Sequence, residues 1–539
     1  MKIGSFIYSI VFAIAAISLL SCSSDLLQVE SKTSVTTDYL FSSKEGLQKA
    51  IVGLYALDRD SYDTCSDASA LFEVVMMDYC TDLFLQRAGS ANALARLDNQ
   101  TPSTAQFLTY WKGKYQVIGK ANEVIAAAKE MGLEDGDIAH AYGEACLMRA
   151  KAYFLLYQRY ERLYLNTEPT TIENAFGRKF TAAAKEDIFA QIKADLEEAS
   201  KYLDWAKYNG EDGRLTKAVA KHIRAQIAMW EDDWSTAVKE CESIIKESGH
   251  TMAARTIDVF EGANLNNPEV LWALQFSNQP GGGGSVSGGV VAGHYVSLNV
   301  TPNYKTLTGV VNSVDNGGYG WGRVYPNSYL LGLYDKEKDH RYQELFQHKW
   351  YYNDPENLPA GKKIGDEVTD FTKSQYISAC HPSCLKYYDR WTNTDDPNRK
   401  SSFKDLVIYR LAETYLMCAE AYFHLEGGSS AKALEYYNKT WERAGNEHFA
   451  GPLTLDIILE ECARELHFEG VRYGQLKRLG LLEERVKLHA GDSKSDDPNL
   501  ASDYIQPRKN FRSERDWRWP IPQAELDLMP GFGQNEGWL

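Results

Sequence analysis

The stretch Trp234-Ser235-Thr236-Ala237-Val238-Lys239-Glu240-Cys241-Glu242-Ser243-Ile244-Ile245 repeats its apolar residues at i, i+3, i+4, i+7, i+10 and i+11. That spacing puts them on one face of an α-helix. Asp232-Asp233 stands directly before it and supplies negative charge where the helix dipole is positive. The residues upstream, Lys217 to Trp230, predict a second helix, with Thr216 as its N-cap.

Small alanines on one helix facing large side chains on the next is the way tetratricopeptide-like helix pairs stack. The same pattern extends in both directions, in a degenerate form. Upstream, Ser43–Leu57 predicts an amphipathic helix. Phe107, Tyr110, Trp111, Tyr115, Ile118 and Ala121 mark a helix beginning near Ser103. Another runs from about Asp137 to Leu163, with Ala141, Ala145, Met148, Ala152 and Leu155 on one face. Downstream, helices are predicted over Phe403–Leu425, Ser430–Ala444 and Leu455–Glu469. The expected fold class is mainly α: tetratricopeptide-like helical pairs forming a scaffold, with a loop-rich, aromatic-rich segment and a few short strands packed on it.

Beyond Asn264 the character changes. Glu269–Phe276 reads as a strand. The glycine-rich run 281–289 predicts no regular structure, and it lacks the Gly-Lys-Ser/Thr ending that a phosphate-binding loop needs. Residues 290–400 are loop-rich and carry Tyr304, Tyr319, Trp321, Tyr325, Trp350, Tyr351, Tyr352, Tyr387, Tyr388 and Trp391. A long loop segment with exposed aromatics points to function.

At the amino end, Lys2 precedes an apolar run from Ile3 to Leu20, followed by Ser21 and Cys22. This is a secretory signal ending in a lipobox, so residues 1–21 are expected to be cleaved and Cys22 lipidated. Several acyl chains on one residue give stable anchoring. Residues 22–42 then form a polar tether. No later apolar run is long enough to span a bilayer. The net charge of −16 argues against nucleic acid and against a polybasic membrane patch. Nine cysteines include Cys22. Cys146, Cys241 and Cys418 fall among apolar residues of predicted helices, where a thiol behaves as a small hydrophobe. Cys380-His381-Pro382-Ser383-Cys384 lacks the second close pair of a zinc site, leaving a local disulfide or two free thiols. No cofactor motif is present.

Several groups of residues, taken in order along the chain, form one set. They are Thr81-Asp82; Trp111, Tyr115 and Asn122; Arg149-Ala150 with Tyr153-Phe154; and Gly213-Arg214-Leu215-Thr216-Lys217. Arg410 with Glu413 and Ala419-Glu420-Ala421, Asn438 and Arg443-Ala444-Gly445 follow. Arg464–Tyr473, Leu476-Lys477-Arg478-Leu479-Gly480, Trp519-Pro520-Ile521-Pro522 with Glu525, and Gln534–Trp538 complete the set. Each motif is weak alone; the ordered set covers nearly all of the mature chain and resembles the SusD/RagB family of outer-membrane nutrient-binding lipoproteins. Gln475, Met529 and Glu536 depart from the family pattern at structural positions. Arg464, Glu465, Glu469, Arg472 and Arg478 alternate in sign, and a buried ion-pair network is expected there.

The resemblance implies a single body over residues 43–539. Its parts are a helical scaffold (about 43–263 and 403–480), a ligand-facing insertion (about 264–402) and a pinning tail (481–539). It implies a lipid-anchored outer-membrane protein facing the cell exterior. Such a protein binds a glycan or other nutrient and delivers it to a SusC-like TonB-dependent transporter. It is not an enzyme. Sugars offer apolar faces and hydroxyl rims, which flat rings and Arg, Asn or Asp side chains complement. Candidate ligand-binding residues are Arg87 and Asn99 from the 80–100 segment, and Tyr319, Trp321, Arg323 and Tyr325, where flanking glycines are expected to leave the Trp321 face uncovered. The alternatives are a surface glycoside hydrolase, which needs two carboxylates about 5 to 9.5 Å apart, and a tetratricopeptide-type adaptor for proteins. No His-Glu-x-x-His or Gly-x-Ser-x-Gly motif occurs.

Overall fold

The computed structural model describes residues 40–62, 78–87, 93–175, 180–279, 282–283, 286–287, 290–291, 293–392 and 394–538. Cys22, the signal segment and nearly all of the tether lie outside them. The chain is mainly helical with a few short strands. The longer helices are α1 (Lys44–Tyr62), α2 (Ala105–Met131), α3 (Gly136–Tyr160), α4 (Lys185–Tyr202), α5 (Lys217–Trp230) and α6 (Trp234–Glu247). After a long interval come α7 (Leu411–Glu426), α8 (Ala431–Arg443), α9 (Leu455–Leu466) and α10 (Arg472–Arg478).

From α1 to α8 each helix packs on the next, so the scaffold is one row. The row is continuous in space although more than 160 residues separate α6 from α7 in sequence. Small residues allow the close approach: Ala225, Ala228 and Ala237 pack with Cys241, Cys418, Ala419 and Ala433 in one buried cluster. Helix α3 is buried almost all round because α1, α2 and α4 all cover it. At the start of α6, Asp233 accepts from the Thr236 amide at 3.1 Å, capping as well as charging the helix end. Thr216 sits at the N-cap of α5, but its buried hydroxyl makes no capping bond. The expectation of a side-chain cap there is corrected.

Strand β2 (Val270–Leu274) falls inside the stretch read as a strand. Its partner is β8 (Leu406–Arg410), antiparallel, with Val270 opposite Arg410 and Leu274 opposite Leu406. The helix expected from Phe403 therefore begins only at Leu411. Leu406-Val-Ile-Tyr-Arg410 is β-branched and aromatic and is buried on both faces, which favours the ladder. This pairing has an architectural consequence: the segment that interrupts the helix row departs and returns at one ladder. The glycine-rich run is also more regular than expected, since β3 (Val286–Ser287) and β4 (Val290–Val291) pair antiparallel. The remaining ladders join β1 (Phe84–Gln86) to β5 (Val324–Pro326), and β6 (Phe346–Gln347) to β7 (Ser383–Cys384).

Most aromatics of the inserted segment are not exposed. Tyr304, Trp350, Tyr352 and Tyr388 pack with Leu307, Val310, Val368 and Ala379 into a separate core, where Tyr304 and Trp350 stack at 4.9 Å between centroids. Tyr387 is buried in the main core. Among the described residues Tyr351 (45% exposed), Phe371 (37%) and Trp391 (37%) stand out to solvent. A segment with so little regular structure needs a core of its own, and tyrosine supplies both apolar area and a hydroxyl that ties loop carbonyls. The Tyr304 hydroxyl does so, donating to the Gly318 carbonyl at 2.5 Å.

Candidate functional site

Two distant segments meet on the β1–β5 ladder. Leu85 lies opposite Tyr325 and Gln86 opposite Val324, and the Arg87 amide continues the ladder by donating to the Arg323 carbonyl at 3.1 Å. Arg87 and Arg323 thus leave the ladder end together. Upstream, the Arg323 amide donates to the Asn299 carbonyl at 2.8 Å and the Trp321 amide to the Leu298 carbonyl at 2.9 Å. The loop that carries Tyr319 and Trp321 is fixed by these backbone bonds.

Tyr319 and Trp321 are half-buried, and cations surround their rings. The Arg323 guanidinium carbon lies 4.7 Å from the Trp321 ring centroid. The Lys305 ammonium lies 3.8 Å from that of Tyr319. The Lys400 ammonium stands 5.6 Å from Tyr319 and 5.5 Å from Trp321. A hydrogen bond from Lys305, helped by its charge, lowers the Tyr319 phenol below its ordinary value. Lys305 and Lys400 were not singled out from the sequence. No pattern marks a lysine whose partner ring is 14 or 79 residues away.

Two sequence expectations about this loop are corrected. Tyr325 is 0% exposed and packs with Leu85, Ile377, Leu500 and Tyr504. Its hydroxyl faces the Ser378 carbonyl at 3.4 Å, and burial pushes the phenol up. It is a core residue of β5, a strand buried along its whole length, and is beyond reach of a ligand. The glycines flanking Trp321 serve packing. A Cβ at Gly320 would lie 2.1 Å from the Pro302 carbonyl oxygen; at Gly322, where φ is +57°, it would lie 2.0 Å from the Tyr325 hydroxyl. They let the loop lie flat on Pro302 and Tyr325.

Asn99 does not join this group on the ladder. It is exposed, with φ of +53°, in a turn next to residues tied to the C-terminal part of the chain. There Asn510 donates to the Arg96 carbonyl at 2.8 Å and Arg515 to the Leu97 carbonyl at 3.3 Å.

The sign-alternating motif forms a buried ion-pair network, as expected. Arg410 at the end of β8 reaches Glu465 at 2.7 Å, Glu269 at 2.9 Å and Glu469 at 2.6 Å. Arg443 binds Glu269 and Glu465, and Arg341 binds Asp339, Glu461 and Glu465. Burial pushes the Glu465 carboxyl up, but Arg443, Arg410 and Arg341 outweigh it and hold the group well below the usual carboxylate range. Arg472 and Arg478 pair elsewhere, with Asp82 and Glu420. Beside the network, a cleft of about 110 Å³ lies between α3, α5, α7 and α10. Trp230, Tyr409 and Met417 line it, with Glu413, Glu420 and Arg478. Its charged groups have polar partners: Glu413 accepts from Gln226 at 2.8 Å, and Arg478 donates to Glu420 at 2.6 Å.

Cys380 and Cys384 are both free thiols, and burial raises them to about 12 and about 11. Among the described residues no group of His, Cys, Asp and Glu is placed to hold a metal ion, and no helix is long and apolar enough to cross a membrane.

Comparison with known proteins gives consistent matches. Residues 268–538 match the SusD family, and residues 25–228 match a family described as starch-binding associating with outer membrane. A SusD-like protein of Formosa agariphila is 23% identical over 553 aligned residues, covering 97% of this chain and 96% of that protein. The solved structure of a laminarin binding SusD-like protein superposes with a TM-score of 0.70 at 21% identity, over 92% of this chain and 99% of that one. Surface glycan-binding protein A from Bacteroides thetaiotaomicron, in complex with laminarihexaose, gives 0.70 at 20% identity over 91% and 99%.

Proposed function

The chain belongs to the SusD family, and from that premise we propose that it is a lipid-anchored protein of the outer-membrane surface, held through Cys22. In this reading it binds a glycan and hands it to a TonB-dependent transporter. The observation that carries the binding function is the meeting of Arg87 and Arg323 at the end of the β1–β5 ladder, beside the half-buried rings of Tyr319 and Trp321. Flat rings take the apolar faces of sugars, and guanidinium groups take their hydroxyls. Two solved structures superposing with this chain are named for binding laminarin or were obtained with laminarihexaose, which supports a glycan as ligand class. The scaffold row offers a broad surface for the transporter, and a stable complex would bury well over about 1,000 Å².

Hydrolysis is the weaker reading. Glu269, Glu461, Glu465 and Glu469, which cluster most densely, are buried and saturated by arginines. A glycosidase needs its carboxylate pair open to substrate. The test is affinity electrophoresis of the protein against a polysaccharide panel, with product analysis alongside. Retarded migration without cleavage is the expected result; released oligosaccharides, or no retardation by any polymer, overturn the reading. For the partner, a large barrel protein should co-purify from outer membrane solubilised in mild detergent, and should be lost when Cys22→Ala leaves the protein unanchored.

A further inference from the structure

The chain carries 74 acidic against 58 basic side chains, yet the surroundings of Tyr319 and Trp321 are cationic. Lys305 and Lys400 are exposed and have no carboxylate within ion-pairing distance among the described residues; their ammonium groups rest on aromatic faces. Arg323 lies on Trp321, with Arg87 joined to it through the backbone. The Lys400 loop is held against the Tyr319 loop, since Asn312 donates to the Asn398 side-chain oxygen at 2.9 Å. The nearby Arg399 faces Asp395 at 3.4 Å, which offsets part of that carboxylate's charge.

A neutral sugar that stacks on either ring must displace an ammonium and offers it hydroxyl oxygens but no counter-charge. An anionic sugar draws the ammonium away into a charge-assisted hydrogen bond and uncovers the ring face. An exposed cation–π contact is weaker than a charge-assisted hydrogen bond, so the exchange is cheap. The overall negative charge does not prevent this, because screening confines its reach to roughly 8 Å at physiological ionic strength. Resting on the binding function proposed above, we propose that the ligand of this platform is an anionic glycan. Its carboxylate or sulfate groups are taken by Lys305 and Lys400 while its rings stack on Tyr319 and Trp321.

Matched polymers test this in affinity gels with the full chain purified in mild detergent. Polygalacturonate is set against its fully methyl-esterified form, and dextran sulfate against dextran; a DNA duplex is the non-glycan polyanion. The expected result is retardation by the charged member of one pair and not by its neutral match, with the pair identifying carboxylate or sulfate. Retardation should weaken as sodium chloride is raised and fall about tenfold or more in K305Q/K400Q, with an unchanged thermal midpoint. Binding of the neutral polymers as strongly as the charged ones overturns the inference and leaves the glycan-binding function standing. So does charged-polymer binding that the double variant retains, and equal retardation by DNA. Indifference to every polymer removes the binding function itself.

Discussion

Arg472 grips Asp82 side-on across 390 residues of sequence, its Nη2 2.6 Å from one carboxylate oxygen and its Nε 2.9 Å from the other, with both side chains buried. Asp82 stands two residues before β1, and its carbonyl accepts from Asn327, directly after β5. The C-terminal half of the scaffold therefore positions the ladder on which Arg87 and Arg323 meet. Asp82→Asn leaves the guanidinium buried without its counter-charge. Breaking such a pair from one side costs about 3–5 kcal/mol. Urea denaturation should show a lower midpoint, and a change under about 1 kcal/mol would mean that the pair does not brace the ladder.

Trp321→Ala should weaken glycan binding about tenfold, the worth of a stacked ring, with little loss of stability because the ring is only half-buried. Calorimetry with the polymer found in the affinity gels, beside a thermal melt, checks both. Unchanged affinity in the folded variant removes Trp321 from the site.

Tyr325 should behave in the opposite way. Tyr325→Ala opens a cavity between Leu85, Ile377 and Leu500 and should cost about 3–5 kcal/mol. Tyr325→Phe should stay within about 1 kcal/mol, since the hydroxyl makes only a 3.4 Å contact. Chemical denaturation of the two variants separates a core role from a polar one.

Gly322→Ala should destabilise the loop without touching its cations. The new Cβ meets the Tyr325 hydroxyl at 2.0 Å, at a φ of +57° that disfavours alanine. Faster amide hydrogen exchange confined to residues near 320–326 is the expected readout; exchange identical to the parent would show that the loop accommodates the methyl.

His294 is buried and neutral, donating to the Lys404 carbonyl, and burial lowers it to about 4 from an ordinary value near 6.5. Between those values the unfolded chain binds the proton more readily than the folded one. Stability therefore falls as pH drops through about 6.5 towards 4, by on the order of 3 kcal/mol from this residue. His294→Gln should reduce the difference in denaturation midpoint between pH 7 and pH 4.5. An unaltered difference would show that the imidazole does not titrate in that window.

Much of this architecture was legible in the chain. The Trp234–Ile245 spacing sets a helix whatever surrounds it, because a 3.6-residue period is local. The Arg- and Glu-rich motif foretold a buried network, because so many charges beside apolar residues need partners once desolvated. What the sequence could not supply was the partner of each group. Leu406–Arg410 is apolar enough for either helix or strand, and only β2 lying alongside decides for strand. Tyr319, Trp321 and Tyr325 look alike in a loop-rich stretch. β5 is buried along its whole length and takes Tyr325 into the core, while the turn over Pro302 leaves Trp321 half-buried. Lys305 and Lys400 became site residues only when two loops were brought together. Periodicity and charge pattern are properties of neighbours in sequence. Pairing, burial and a shared ring face depend on residues brought together only by the folded chain, and those decided the site.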